Sequence, residues 1–284
     1  MKDSELKVLV KKSYGDIAKK GGSCCPSKGS CCGAAPAEDV SKSIGYTEDD
    51  LESVPSGANL GLGCGNPIAM ASIKEGDTVL DLGSGAGFDS FLAAGKVGPK
   101  GRVIGVDMTP EMIEKAKENA SKGNFSNVEF RLGELENLPV ADDSVDVIIS
   151  NCVVNLVPDK KTAFKEAFRV LKPGGRLMVS DIVLKRALPD FVMKSIDAYV
   201  GCISGAALKE IYLEAIKSAG FDDVTVIDES IFPLDFMAED PAGQAIARNL
   251  EEGAEGINKL ENLVSSIKVR AIKPKPIEGF NALA

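Results

Sequence analysis

The chain has 284 residues, of which 33 are basic and 42 acidic, giving a formal net charge of −9. A composition of 44% hydrophobic and 26% charged residues suits a globular protein with a sizeable core, and the acidic balance argues against a broad nucleic-acid surface. There is no His, which excludes an imidazole base, a histidine metal ligand and a Ser-His-Asp triad.

The first twenty residues mix Lys, Asp and Glu with apolar residues, and no uncharged apolar run approaches the length of a membrane span. The expected setting is therefore cytoplasmic, away from membranes and nucleic acid. Seven cysteines, an odd number, stand at 24, 25, 31, 32, 64, 152 and 202. In that setting thiols are expected as ligands or nucleophiles rather than as staples.

In chain order, Leu6, Leu9, Val10 and Ile17 predict a helix over 2–19, ended by Gly21 and Gly22. Residues 21–37 are Gly, Ser, Pro, Ala and Cys and predict a mobile loop. Residues 45–75 read as mostly loop with one or two short helices. From 76 onward, apolar β-rich runs alternate with amphipathic helical ones. Strands are predicted at 77–82, 102–107, 128–131, 145–150 and 176–181, and helices at 87–95, 110–121 and 159–171. This alternation predicts βαβ units and a parallel sheet buried on both faces, hence an α/β fold. Residues 184–219 read as helical. Strands follow at 222–228 and 265–272, with a Glu-rich helical stretch over 242–263 between them and a short frayed tail after Pro274. Arg248 and Glu251-Glu252 fit a solvated helix face.

The first strand runs into Asp81-Leu82-Gly83-Ser84-Gly85-Ala86-Gly87. These glycines allow a tight turn and close approach to a ligand, but Phe88 occupies the third position of the dinucleotide fingerprint, and no Lys-Ser/Thr pair makes a P-loop. The D-x-G-x-G-x-G form resembles the first motif of class I S-adenosylmethionine-dependent methyltransferases. Asp107 ends the next strand, where a carboxylate can accept both ribose hydroxyls. Met108 beside it would pack on the adenosine. Gly133-Glu134-Leu135 stands where the class places its adenine contacts. The alternative is a tight turn in another α/β protein, with Asp107 as a helix cap and Glu134 as a surface acid.

Ligands of open parallel sheets bind outside the carboxyl ends of the strands. Asn151 and Cys152 lie one and two residues past the end of the fourth strand there, facing the expected acceptor position. Cys202 lies in the helical insertion after the fifth strand, and Cys64 lies within Gly61-Leu62-Gly63-Cys64-Gly65-Asn66-Pro67. They are either buried structural thiols, a zinc site (disfavoured by the absence of His and of C-x-x-C spacing) or ligands for a soft centre. A trivalent pnictogen such as arsenic on three thiolates keeps a lone pair and needs no general base. The protein would then supply alignment and desolvation, worth about 7–11 kcal/mol at best.

Over roughly residues 13–228 the chain resembles the arsenite methyltransferase family. The resemblance rests on Tyr14-Gly15-Asp16-Ile17-Ala18, Gly45–Leu51, Cys64, Asp81–Gly87, Gly105–Met112, Asn151–Leu156 and Gly201–Gly205. It implies a class I, Rossmann-like, mostly parallel sheet with an antiparallel edge strand, a helical cap and a small C-terminal extension. The implied division is an N-terminal helix and Cys-rich segment (1–45), a cofactor domain (46–183), an arsenic-binding cap (184–230) and a C-terminal region (231–284). By resemblance Cys64, Cys152 and Cys202 bind As(III), and Asp81, Gly83, Ser84, Gly85, Gly87, Asp107, Met108, Gly133, Glu134, Leu135 and Asn151 line the S-adenosylmethionine site. The family takes As(III) or its thiol conjugates and relies on a glutathione- or thioredoxin-type reductant. A monomer is expected. The vicinal pairs Cys24-Cys25 and Cys31-Cys32 are expected either to capture or relay As(III) or to be a dispensable metal-binding tract. Two rivals remain: a methyltransferase for a small organic acceptor, which needs an acid or Tyr base at the rim, and a non-catalytic As(III)/Sb(III) sensor or sequestering protein.

Overall fold

A computed structural model describes residues 3–20, 37–188, 205–231 and 263–276. Cys24, Cys25, Cys31, Cys32, Cys202 and the predicted helix at 242–263, apart from Leu263, lie outside the described residues.

Strands β1 (Thr78–Leu82), β2 (Arg102–Asp107), β3 (Val128–Leu132), β4 (Val145–Asn151), β5 (Leu171–Leu184), β6 (Asp222–Ile231) and β7 (Val264–Ile272) form one sheet in the order β3-β2-β1-β4-β5-β7-β6. The first five are mutually parallel. β7 is antiparallel to both β5 and β6. The antiparallel strand therefore lies one place in from the edge, and β6 is the edge strand. Helices α1 (Asp3–Lys20), α2 (Ala37–Ser43), α3 (Glu48–Glu52), α4 (Phe88–Val97), α5 (Pro110–Lys122), α6 (Lys160–Val170) and α7 (Lys209–Ser218) surround the sheet.

Local chemistry explains the boundaries. Thr47 and Asp50 cap α3 reciprocally, the Thr47 hydroxyl accepting from the Asp50 N–H at 3.1 Å and the Asp50 carboxylate accepting from the Thr47 N–H at 2.9 Å. Pro110 opens α5 at a position where its missing N–H costs nothing. Asp159 caps α6 by accepting from Thr162 N–H at 3.0 Å. β5 begins five residues before the predicted strand. Lys172–Gly175 is taken into it across an irregularity in the β4 pairing, because Gly174 and Gly175 exchange hydrogen bonds with Lys273.

Two apolar layers clamp the sheet. Leu80, Val106 and Ile148 pack on Phe164, Ala167, Tyr212 and Ile216 of α6 and α7. Val79, Val103, Val147 and Met178 pack on Leu92, Ala93 and Val97 of α4. Each Val, Leu, Ile, Phe or Met side chain among them contributes about 1.5–3 kcal/mol by burial, before chain entropy is subtracted. A further cluster sits at the carboxyl end of the sheet and contains Cys64, Cys152, Leu156, Ile182, Leu184 and Val10 of α1. β1 and β4 are neighbours whose connections run to opposite sides, so the crevice for ligands opens between their carboxyl ends.

Candidate active site

β1 ends in the glycine loop at that crevice. Gly83, Gly85 and Gly87 have φ of 68°, 51° and 97°, a region that other residues enter at a cost. Gly83 and Ser84 donate to the Val106 carbonyl at 2.8 and 3.0 Å, which fixes the loop to β2. Gly85 N–H donates to Asp107 Oδ2 at 3.0 Å, and Thr109 N–H to Asp107 Oδ1 at 2.8 Å. Burial pushes the Asp107 pKa up, while these hydrogen bonds pull it back.

A cleft of about 720 Å³, its solvent mouth included, runs over this loop. Gly83, Gly85, Asp107, Met108, Leu135, Asn151 and Cys152 line it. So do Lys7, Val10 and Tyr14 of α1; of these only Tyr14 belongs to a segment that carries the resemblance, and none was singled out as a site residue. Helix α1 lies across the cleft because Lys7 pairs with Glu134 (2.7 Å) and Glu136 (2.9 Å), and Lys11 with Glu134 (2.9 Å). Gly15 lets α1 approach Glu111 of α5 closely. The Glu134 carboxylate thus faces lysines rather than the cleft. Gly133 packs against Pro139, and Gly87 caps α4 against Phe91 and Phe130.

A second lobe, lined by Tyr46, Asp81, Gly83, Ser84, Gly85, Asp89 and Asn151, borders the same loop. Asp81 accepts from Ser90 Oγ at 2.6 Å, and burial raises its pKa well above the usual carboxylate value. Asp89 accepts from Tyr46 Oη at 2.6 Å and Asn151 Nδ2 at 3.1 Å, and burial raises it to about 6. Two neighbouring buried carboxylates make this lobe suited to a cation. Ser84 Oγ, buried here, has no hydrogen-bond partner.

Asn151 joins the lobes to the thiols. Its Oδ1 accepts from the Cys64 N–H at 3.0 Å, and its Nδ2 donates to the Gly65 carbonyl at 2.8 Å and to Tyr46 Oη at 2.9 Å. Ser266 Oγ donates to the Cys64 carbonyl at 2.7 Å. Cys152 sits in the left-handed region, φ 58°, with its N–H donating to the Ser180 carbonyl at 2.8 Å. Cys64 Sγ, Cys152 Sγ and a carboxylate oxygen of Asp181 lie within 4.8 Å of one another, all buried. Asp181 accepts from Asn155 Nδ2 (2.7 Å), the Ile182 N–H (2.9 Å) and Tyr212 Oη (3.0 Å), and burial raises its pKa to about 7. The rim therefore holds an acid that the sequence reading did not single out. The signal for it was an Asp in the fifth strand, one residue past the register partner of Asn151. The case against a small organic acceptor now rests on the thiol pair alone.

Comparison with known proteins follows this geometry. A methyltransferase-domain family matches residues 73–220, just over half of the chain. An arsenite methyltransferase of Halobacterium salinarum is 51% identical over 235 residues, covering 80% of this chain and 60% of that protein. The human arsenite methyltransferase is 35% identical over 228 residues, covering 76% and 58%. The chain thus spans about 60% of the length of these relatives. Among solved structures, an arsenic(III) S-adenosylmethionine methyltransferase from Chlamydomonas reinhardtii superposes with a TM-score of 0.63 at 34% identity, covering 84% of this chain and 74% of that one. With its cleft, its glycine loop and these relatives, the chain belongs to the arsenite S-adenosylmethionine methyltransferase family.

Proposed function

We propose that this chain methylates trivalent arsenic at the expense of S-adenosylmethionine, with Cys64 and Cys152, joined by Cys202, holding the arsenic. One observation carries the reading: two buried thiols within 4.8 Å stand at the rim of a cleft built over a glycine loop and an acid-ended second strand.

The residues present fit the cofactor. Asp107 offers its remaining lone pairs to ribose hydroxyls, Met108 and Leu135 give apolar walls to an adenine, and Asp81 and Asp89 suit an ammonium group in the second lobe. When bound, the cofactor supplies an electrophilic sulfonium methyl. The chain's own work is placement. Asn151 holds the Cys64 loop against the wall shared by both lobes, and the apolar cluster around the thiols keeps water from the acceptor. The arsenic substrate, pyramidal on thiolates, retains a lone pair as nucleophile, so no imidazole is needed. A glutathione- or thioredoxin-type thiol completes turnover, and the expected cytoplasmic, monomeric setting and a role in arsenic detoxification belong to the same proposal. Among the described residues, no helix is long and apolar enough to cross a membrane.

The test is incubation with As(III), S-adenosylmethionine and a thiol, followed by separation of arsenic species by mass. Methylated arsenic that disappears in Cys152→Ser supports the reading. Unchanged inorganic arsenic with cofactor demonstrably bound overturns it.

A further inference from the structure

We propose that Cys64, Cys152 and Asp181 form a binding site for a divalent thiophilic cation of the zinc and cadmium class. Among the described residues, the Cys64 and Cys152 sulfurs and an Asp181 oxygen come together as a mixed donor set. That donor set suits a borderline divalent ion, which takes thiolate and carboxylate together in a tetrahedral site. In such a site the donors stand about 3.8 Å apart, from metal–sulfur bonds of about 2.3 Å. Donors already within 4.8 Å need only side-chain rotations to close on an ion.

The carboxylate is held as a ligand should be. Asn155 Nδ2 and the Ile182 N–H donate to one carboxylate oxygen and Tyr212 Oη to the other, fixing its orientation. Binding displaces the two thiol protons, together with any proton on Asp181, to solvent, and the ion neutralises two of the three negative charges that result. The fourth coordination position is left for water. The sharing of thiols with arsenite rests on the reading of the preceding subsection; the cation site itself does not.

The probe is cadmium chloride, added to the full chain carrying Cys24→Ser, Cys25→Ser, Cys31→Ser and Cys32→Ser, so that the N-terminal pairs cannot compete. The readout is the ultraviolet thiolate-to-cadmium charge-transfer band. We expect one ion per chain. Asp181→Asn should weaken binding about tenfold or more while leaving the band at saturation unchanged, and Cys202→Ser should leave affinity and band as they were. No stoichiometric binding, or binding indifferent to Asp181→Asn but lost in Cys202→Ser, overturns the proposal. Should Asp181→Asn fail to fold, cadmium X-ray absorption on the chain that retains Asp181 decides it: two sulfurs with oxygen support the site, three sulfurs refute it. Arsenite that leaves bound cadmium in place would keep the cation site and refute instead the placement of arsenic on Cys64 and Cys152.

Discussion

Gly65→Ala tests how the thiol loop is seated. A Cβ built on Gly65 falls on Ser180 Oγ, with Ser180 Cβ at 3.1 Å and Lys268 Cε at 3.4 Å. Ser180 is fully buried, so it cannot swing into solvent. Overpacking of this kind costs about 1–3 kcal/mol, which at about 2–4 °C per kcal/mol lowers Tm by roughly 2–12 °C. Ser180 Oγ has no hydrogen-bond partner. Ser180→Ala therefore breaks no bond and relieves a buried hydroxyl of its desolvation cost, so alone it should be neutral or mildly stabilising. In the double variant the overlap with Oγ disappears and only the tight Cβ contact remains. Urea unfolding of the four proteins should give a coupling energy of about 1–2 kcal/mol, the second substitution rescuing the first. Alkylation of Cys64 should follow the same order, fastest in Gly65→Ala and slower again in the double variant. If the two effects add to within about 0.5 kcal/mol, the loop is not seated on Ser180 as described.

Other substitutions probe the rest of the site. Cys152 at φ 58° should make Cys152→Gly about 1 kcal/mol more stable than Cys152→Ala, the reverse of the usual order, read by urea denaturation. Lys7→Met should speed cofactor release about two- to fivefold in stopped flow, since partly exposed ion pairs contribute about 0.5–1 kcal/mol, and salt should drive the unsubstituted chain toward the same rate. Asp89, raised to about 6 in the fold from near 3.9 in the unfolded chain, binds its proton more readily when folded. Its contribution to stability is thus greatest at low pH and is lost as pH rises from about 4 to 6. Asp89→Asn should flatten the stability profile across that window, and an unchanged profile would count against the burial described.

What could be read from the sequence was what short spacing determines. The glycine loop, Asp107 and the β–α alternation are local patterns, and strands β1 to β4 fall within a residue of the predicted limits. The longer β5 was not legible, because Lys172–Gly175 becomes extended only by bonding to Lys273, about a hundred residues on. The role of α1 was hidden for the same reason. Nothing near Lys7 announces Glu134, and the pairing of these residues takes the Glu134 carboxylate away from the adenine edge that its place after β3 suggested. Asp89 and Asp181 are single residues without a motif, and Tyr46, though inside the Gly45–Leu51 segment, carried no role there; only the sheet register and the packing of the preceding loop bring them to the site.

The most consequential of these long-range arrangements is the position of Asn151. Gly63 lies so close to it that a Cβ there would stand 2.7 Å from Nδ2, and its amide binds the backbone on both sides of the Cys64 peptide linkage. The same amide donates to Tyr46 and Asp89 in the second lobe and lines the main cleft. Three acceptors share the two donor hydrogens of Nδ2, which leaves that nitrogen no spare capacity in this arrangement. Any ligand group that draws Asn151 toward the lobes must therefore weaken its hold on the Cys64 loop, and any shift of that loop must release donors toward the lobes. Filling of the cleft and placement of the first thiol are thus joined through one amide, which is a physical reason for an Asn rather than an acid at the end of β4.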